Sequence, residues 1–165
     1  MNFTDYVSSI CKPKESIETL NTFEEVRNYL NNIENINCGG CGISALAMYR
    51  WLKKHNQTTD QTAFYFLEND ADNHKNNKQY HSNKEIVLKA SCHVVLYHND
   101  QTIDSNGFKS ISNYDYQLLE KSEEFLLAMI NTIWSWNYKF ERKKHVKKIA
   151  TNLGIDLSDV KLSAE

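Results

Sequence analysis

The sequence predicts a single α+β domain in which one buried helix packs against a small antiparallel sheet. Three features indicate this class. A glycine-rich turn at residues 38–42 leads into an apolar helix, residues 92–104 have the pattern of a β-hairpin, and two stretches near the C-terminus have helical periodicity. With 165 residues and no internal repeat, linker or change of composition, we expect residues 1–165 to form one domain with its own core.

The composition is typical of a soluble globular protein, with 41% hydrophobic and 24% charged residues. The net charge of -2 gives no electrostatic reason to expect a nucleic-acid or membrane partner. No apolar run is long enough to span a bilayer, and residues 1–6 lack the features of a secretion signal. We therefore expect a cytoplasmic protein whose cysteines are reduced: Cys11, Cys38, Cys41 and Cys92.

The first predicted helix covers residues 22–33. Thr22 and Glu25 have the spacing of a capping box, in which each side chain accepts a hydrogen bond from the other residue's backbone. Apolar residues follow at helical spacing, namely Phe23, Val26, Leu30 and Ile33. Asparagines then separate this helix from the cysteine turn.

The central helix is predicted from about Cys41 to His55. It is apolar at nearly every position after its first turn, which is typical of a buried helix. Cys41 lies at its N-terminus, where unpaired N–H groups and the helix dipole favour a thiolate. The preceding glycines allow a close backbone approach or a positive φ. Cys41 is therefore the candidate nucleophile, with its sulfur accessible, and a buried structural thiol is the alternative.

The segment after the central helix divides into a strand and a polar stretch. Residues 62–67 are rich in strand-forming side chains and predict a strand. Residues 68–83 are strongly polar and predict an exposed loop, for which solvated or disordered surface is a better explanation than a lid. Residues 85–88 are ambiguous between strand and helix.

A hairpin is predicted from residues 92–98 and 101–104, joined by a two-residue turn at Asn99 and Asp100. In that register Leu96 opposes Ile103 and Asp104 opposes Val95. His93 and Asp104 then share one face of the sheet as diagonal neighbours. A carboxylate at that separation can orient an imidazole, which can in turn deprotonate a thiol.

The alternatives for the hairpin concern its turn and its polar residues. A three-residue turn would move Asp104 to the other face of the sheet. Asp104 could also serve only to cap the turn at residues 105–107. His98, near the turn and on the opposite face from His93, is expected to be exposed and uninvolved.

The C-terminal region predicts two helices. Residues 118–136 carry a dense apolar face, and residues 142–153 form a second helical stretch that ends at Gly154. A glycine directly after a helix is the usual C′ residue.

The run from Cys38 to Ala45 resembles the catalytic turn of papain-like cysteine peptidases. In that superfamily a Cys-Gly-Ser-Cys run opens the central helix, and its second cysteine is the nucleophile. The His93-Val94-Val95 strand, with Asp104 and Gly107 after it, is similar to the His and Asp strands of compact members such as the bacteriocin-processing peptidase domains.

The overall likeness is to uncharacterised phage-type papain-fold proteins and covers residues 37–160. The shared features are a Gly-Gly-Cys-Gly turn, a Ser-x-His-Val-Val strand, an Asp-Ser-x-Gly end and a C-terminal Phe-x-Arg, here Phe140 and Arg142. If the gene is phage-encoded, the compartment is the host cytoplasm.

The resemblance implies a papain-like fold and a Cys41–His93–Asp104 triad that carries out thiol acyl transfer on a protein or peptide substrate without a cofactor. Peptidase or amidase activity is the leading expectation, and deamidase or transglutaminase activity on the same triad is the alternative. Papain-like enzymes carry a Gln six residues before the nucleophile to bind the oxyanion. That position is Asn35 here, and Asn37 is a second candidate. The Trp-Ala-Phe that follows the papain cysteine is absent.

Other classes of function remain as alternatives. Cys38, Cys41, Cys92 and His93 could form a zinc site. Cys92 and His93 are adjacent in a strand and point to opposite faces, so we expect no metal. Cys38 and Cys41 could form a thioredoxin-like redox pair, but that fold requires a strand directly before the motif. A protein-binding module that kept the fold and lost the activity is the third alternative.

Overall fold

The structure is a computed structural model that describes residues 17–33, 36, 40–67, 93–105, 107–109, 117–127, 130 and 140–157. A 3₁₀ turn at Ile17–Thr19 precedes helices α1 (Phe23–Asn31), α2 (Cys41–Lys54) and α3 (Phe140–Asn152). The strands are β1 (Ala63–Leu67), β2 (His93–His98), β3 (Gln101–Asp104), β4 (Gly107–Lys109) and β5 (Gln117–Glu120). The protein is therefore of the α+β class. Within these ranges, no helix has the length and apolar character needed to cross a membrane.

The five strands form one antiparallel sheet in the order β4-β3-β2-β1-β5. β1 and β2 lie at its centre and pair along their length, from Ala63 opposite Tyr97 to Leu67 opposite His93. Because side chains alternate along a strand, this register determines which of them share a face.

The hairpin between β2 and β3 has the predicted two-residue turn. Asn99 and Asp100 have φ angles of 51° and 59°, so both central residues are left-handed, as a type I′ turn requires. Leu96 opposes Ile103 and His98 opposes Gln101. The predicted register is confirmed, and it places Asp104 on the face of the sheet that carries His93.

Helix α2 packs against one face of the sheet. The strand residues on that face belong to the same hydrophobic cluster as α2, and they are Phe64, Phe66, Val94, Leu96 and Ile103. The rings of Tyr49 and Phe64 approach to 5.0 Å between centroids. Ten of the fourteen α2 residues are buried, which confirms the prediction of a central buried helix.

Helix α1 covers another side of α2, and its N-terminus has the predicted capping box. The Glu25 N–H donates to Thr22 Oγ1 at 3.2 Å, and the Thr22 N–H donates to Glu25 Oε2 at 3.0 Å. The Trp51 indole N–H donates to the Leu20 carbonyl at 3.1 Å, which attaches the N-terminal segment to α2. The helix ends at Asn31, two residues before the predicted end.

The prediction of a helix from residue 118 is wrong at its start, because Gln117–Glu120 is strand β5. β5 pairs with β1, which offers backbone donors and acceptors along the side not used by β2. A short apolar run fits a strand as well as a helix, so the pairing with β1 determines that these residues form a strand. Helical structure begins at residue 123, where Ser122 Oγ accepts from the Phe125 N–H at 3.0 Å.

The predicted end of β3 is one further difference, and several predicted stretches cannot be compared with the structure. Gly107 does not end β3 but begins β4, where it pairs with Asp104. The predicted loop at 68–83, the ambiguous stretch at 85–88 and most of 128–139 lie outside the described residues.

Helix α3 ends in the glycine motif that the sequence predicts. Gly154 has a φ of 68°, the Ile155 N–H donates to the Ala150 carbonyl at 2.8 Å, and the Gly154 N–H donates to the Thr151 carbonyl at 3.1 Å. These two bonds are those of a Schellman motif. Ile155 is buried and fixes the direction of the chain after α3.

We expect Gly154→Ala to lower the free energy of unfolding by about 1 kcal/mol, because an L side chain is disfavoured at positive φ. A Cβ at this position meets no atom within 4 Å, so no steric term adds to that cost. Gly154→Asn should lose less, since asparagine tolerates the left-handed region. Urea unfolding of the three proteins measures the difference, and an Ala variant as stable as the parent would contradict it.

Candidate active site

Cys41 is the first residue of α2, as predicted, and is a free thiol. Gly40 is the N-cap, and its carbonyl accepts the Ser44 N–H at 2.8 Å. The N–H groups of the first turn precede that bond and have no acceptor within the helix. Cys41 therefore stands at the positive end of the helix dipole.

Gly40 is needed for a close backbone approach and not for its φ, which is -94°. A Cβ at this position would lie 2.6 Å from the Ile36 carbonyl oxygen and 3.2 Å from its Cα. Real Cβ atoms do not come that close to backbone. The absence of a side chain at residue 40 therefore lets the segment at Ile36 pass directly over the start of α2.

The expectation that the Cys41 sulfur is open to solvent is wrong for this structure. Cys41 is only 4% exposed and belongs to the hydrophobic cluster around α2. The close approach of Ile36, itself 2% exposed, and the packing of α2 on the sheet bury the residue. The accessible part of the site is the His93 side chain, which is 23% exposed.

His93 is the first residue of β2 and lies close enough to Cys41 for the thiol to be one of the groups that raise the pKa of His93. The start of α2 therefore lies beside the start of β2. This contact brings together two residues that are 52 positions apart in the chain.

Asp104 is the last residue of β3, and its side chain is only 8% exposed. Its Oδ2 lies 3.6 Å from His93 Nε2, so the predicted pairing of the two side chains is confirmed. That distance is an ion-pair contact, a few tenths of an ångström beyond a full hydrogen bond. A carboxylate facing an imidazole does more than cap a turn.

The pKa of His93 is lowered by burial and raised by two neighbouring side chains. Burial alone lowers it, because a cation loses hydration, but hydrogen bonding and charge from Asp104 and Cys41 raise it to about 9. The imidazole is therefore protonated at neutral pH. The cation lies between a carboxylate and a sulfur, which offset the cost of its burial.

His98 takes no part in this cluster, as predicted, although it is half-buried and not fully exposed. Its Nδ1 lies 2.9 Å from Thr62 Oγ1, and Asn99 Nδ2 donates to its Nε2 at 3.1 Å. The second contact makes Nε2 an acceptor, so Nδ1 carries the proton. Burial lowers the pKa of His98, which is consistent with a neutral imidazole that holds the end of the hairpin.

The predicted oxyanion donors, Asn35 and Asn37, lie outside the described residues, so their role remains a prediction. Sequence reasoning missed Ser44, whose side chain is on the turn of α2 after Cys41. Ser44 is 2% exposed, and its Oγ has no hydrogen-bond partner within the part of the chain that is described. The available signal was a serine three residues after Cys41 on a helix predicted to be buried.

No described group of three or more His, Cys, Asp or Glu side chains comes together to bind a metal ion. Cys38 and Cys92, the other two thiols of the hypothetical zinc site, are not among the described residues. A cavity of about 420 Å³ lies at the end of α3, beside Lys147, Gly154 and Leu157. A smaller one next to it borders the C-terminal half of α2, so neither opens onto Cys41.

We expect Gly40→Ala to cost about 2 kcal/mol of stability through the clash with Ile36, in the range of other overpacking substitutions. It should also slow alkylation of Cys41, because the start of α2 must shift. Gly154→Ala is the control, since it changes a glycine far from the thiol. Equal alkylation rates in Gly40→Ala and the parent would show that the Ile36 contact does not position Cys41.

Comparison with known proteins gives no relative for this chain. No protein-family model matches it, no curated protein matches it, and no solved structure matches it. The likeness to papain-like peptidases depends on the motif residues of the sequence. The function must be argued from the cluster of Cys41, His93 and Asp104.

Proposed function

We propose that this protein is a papain-like thiol acyl-transfer enzyme, most simply a cysteine peptidase or amidase. The observation that supports it best is the contact of Cys41, at the N-terminus of a buried helix, with an imidazole that also faces a buried carboxylate. A nucleophile, a base and a group that orients the base are the components of this class of site. No metal or organic cofactor is needed for that reaction.

In the proposed reaction the Cys41 thiolate attacks the carbonyl carbon of the substrate and forms a carbon–sulfur bond. The His93 imidazolium gives its proton to the leaving nitrogen as the carbon–nitrogen bond breaks, which leaves a thioester. His93 then removes a proton from water, the hydroxide attacks the thioester, and the thiolate is released.

Asp104 orients the imidazole in this scheme. Its Oδ2 faces His93 Nε2 at 3.6 Å, so Nδ1 is the nitrogen left to exchange protons with the sulfur and the leaving group. The carboxylate also stabilises the imidazolium between turnovers. The N–H groups of the first turn of α2, with Asn35 or Asn37 as further donors, are proposed to bind the oxyanion.

The same three side chains would also support deamidation or transamidation, since the acyl acceptor is chosen by the walls of the cleft. A thioredoxin-like site is less well supported. Asn32, Ile33 and Ile36, the described residues before the motif, form turns and not a strand. Thiols are kept reduced in the cytoplasm, so the cytoplasm, or the host cytoplasm for a phage protein, is the proposed location.

We expect iodoacetamide to label Cys41 faster at pH 7 than Cys11, Cys38 or Cys92, because His93 and the helix N-terminus favour its thiolate. His93→Ala should slow that labelling by about tenfold or more, because it removes the cation beside the thiol. Asp104→Asn should slow labelling less but reduce turnover by about 10³–10⁴, as loss of the orienting carboxylate does in other triads.

Peptide mapping by mass spectrometry identifies the labelled residue, and the small size of iodoacetamide limits the effect of burial at Cys41. His98→Ala is the matched control and should leave labelling within about twofold, since this histidine contacts Thr62 and not the thiol. Labelling mainly at Cys38 would favour a redox pair. Equal labelling of all four thiols would rule out a catalytic cysteine.

We expect activity to fall as pH rises through about 9, because His93 must be protonated to supply the leaving group with a proton. Asp104→Asn should move this limb to lower pH, since the carboxylate is one of the groups that raise the pKa of His93. The rate of peptide hydrolysis between pH 5 and 11 measures both. A limb that does not move in the Asn variant would contradict the assigned role of Asp104.

The stability of the fold should also depend on pH through the protonation of His93. The pKa of His93 is about 9 in the folded protein and near 6.5 in an unfolded chain, so its contribution is complete below 6.5 and disappears as pH rises through about 9. Urea unfolding at pH 6 and pH 9.5 should therefore show a larger loss for the parent than for His93→Gln. Equal losses would mean that the imidazolium does not stabilise the fold.

A further inference from the structure

Helix α3 is basic, although the whole chain has a net charge of -2. Its charged residues are Glu141, Arg142, Lys143, Lys144, Lys147 and Lys148. Lys144, Lys147 and Lys148 have helical i, i+3 and i+4 spacing, so they share one face of α3, and all three are exposed. Ile149 and Ala150 lie on the other side of the helix and are buried in the core. We call the three exposed lysines the lysine face.

The charge of the lysine face is not balanced within the described part of the chain. None of its three lysines forms an ion pair there, whereas two cations of neighbouring α2 do: Arg50 pairs with Glu123, and Lys54 with Glu18. Like charges at i, i+3 and i+4 destabilise a helix. No basic residue lies in the last turn of α3, where the helix dipole would favour one. An anionic partner would therefore relieve a repulsion that the described fold leaves uncompensated.

The cavity of about 420 Å³ opens beside the lysine face, since Lys147 and Thr151 line it. Its wall continues past the end of the helix with Gly154, which is exposed, and Leu157, which is half-buried. A Cβ at Gly154 meets no atom within 4 Å, so this part of the wall borders open space. The volume lies in the range of about 300–1,000 Å³ that is usual for ligand sites.

The residues around the cavity distinguish between kinds of anionic partner. Asp156 lines the cavity together with Lys147, so a nucleic acid, with a phosphate at every step, would meet a carboxylate as well as a cation. A membrane surface would need the apolar side of α3, which already packs in the core. A peptide can place acidic residues on the lysine face and an apolar side chain in the cavity.

We propose that the lysine face and this cavity form a docking site for an acidic peptide segment of a partner protein. Carboxylates of the segment pair with Lys144, Lys147 and Lys148, and one apolar side chain enters the cavity at Gly154 and Leu157. Docking there requires no chemistry at Cys41, because the cavity does not open onto the thiol.

The test is fluorescence anisotropy with the full chain at low salt and four fluorescein-labelled probes. The first is a peptide with a run of glutamates followed by a leucine. The second has serine for the leucine, the third has glutamines for the glutamates, and the fourth is oligothymidylate of the same charge as the first. We expect the leucine peptide to bind about tenfold more tightly than the serine peptide, because burial of a leucine contributes that much. The glutamine peptide should not bind.

Lys147→Gln should weaken binding of the leucine peptide about two- to fivefold, the range of an exposed ion pair, and substitution of all three lysines by Gln about tenfold or more. Lys53→Gln is the matched control and should stay within about twofold of the parent. Lys53 is also an exposed lysine, but it lies 6.0 Å from the centre of the Tyr49 ring and lines neither cavity.

Gly154→Asn tests the apolar part of the site, because it places a side chain in the open space of the cavity at a φ that asparagine tolerates. It should bring the affinities of the leucine and serine peptides close together and keep the requirement for glutamates. Urea unfolding of each variant shows that it is folded under the conditions of the binding measurement.

The preference for leucine, together with a loss in Lys147→Gln that Lys53→Gln does not show, would support the docking site. Equal binding of the leucine and serine peptides, or equal losses in the two lysine variants, would reduce it to general charge attraction and overturn it. Tighter binding of oligothymidylate than of the leucine peptide would assign the lysine face to nucleic acid instead. Absence of binding by the leucine peptide would also overturn the docking site.

Discussion

The site depends on one packing contact, between the first residue of α2 and the first residue of β2. Cys41 begins the helix that packs on the sheet, and His93 begins a central strand of that sheet, so the two residues meet where both elements start. Gly40 allows the Ile36 segment to close over the start of that helix. If α2 moved along its axis by one turn, about 5.4 Å, the sulfur would leave the imidazole.

The electrostatics of the cluster follow from its burial. A cationic imidazole with 23% of its side chain exposed loses hydration, and Asp104 and Cys41 compensate for that loss. Removing Asp104 would leave the His93 cation without its carboxylate partner. The neutral His98, satisfied by Thr62 and Asn99, shows the opposite case in the same hairpin.

The two faces of the sheet carry different sets of residues. One face packs against α2 and supplies stability, with Phe64, Leu96 and Ile103 among its residues. The other carries His93 and Asp104, followed by Tyr65 and Tyr97. The two-residue turn at Asn99 and Asp100 keeps these sets apart, since one more residue in the turn would exchange the faces of β3 relative to β2.

Local patterns in the sequence determined the capping box of α1, the start of α2 at Cys41, the type I′ hairpin and the glycine end of α3. Each depends on residues close together in the chain. The strand at residues 117–120, the burial of Cys41 and the raised pKa of His93 were decided by tertiary structure. Strand pairing with β1 and closure by Ile36 are long-range interactions, and an amphipathic pattern contains no information on them. The approach of Cys41 and His93 across 52 residues was implied only by the resemblance of the two motifs to a known family.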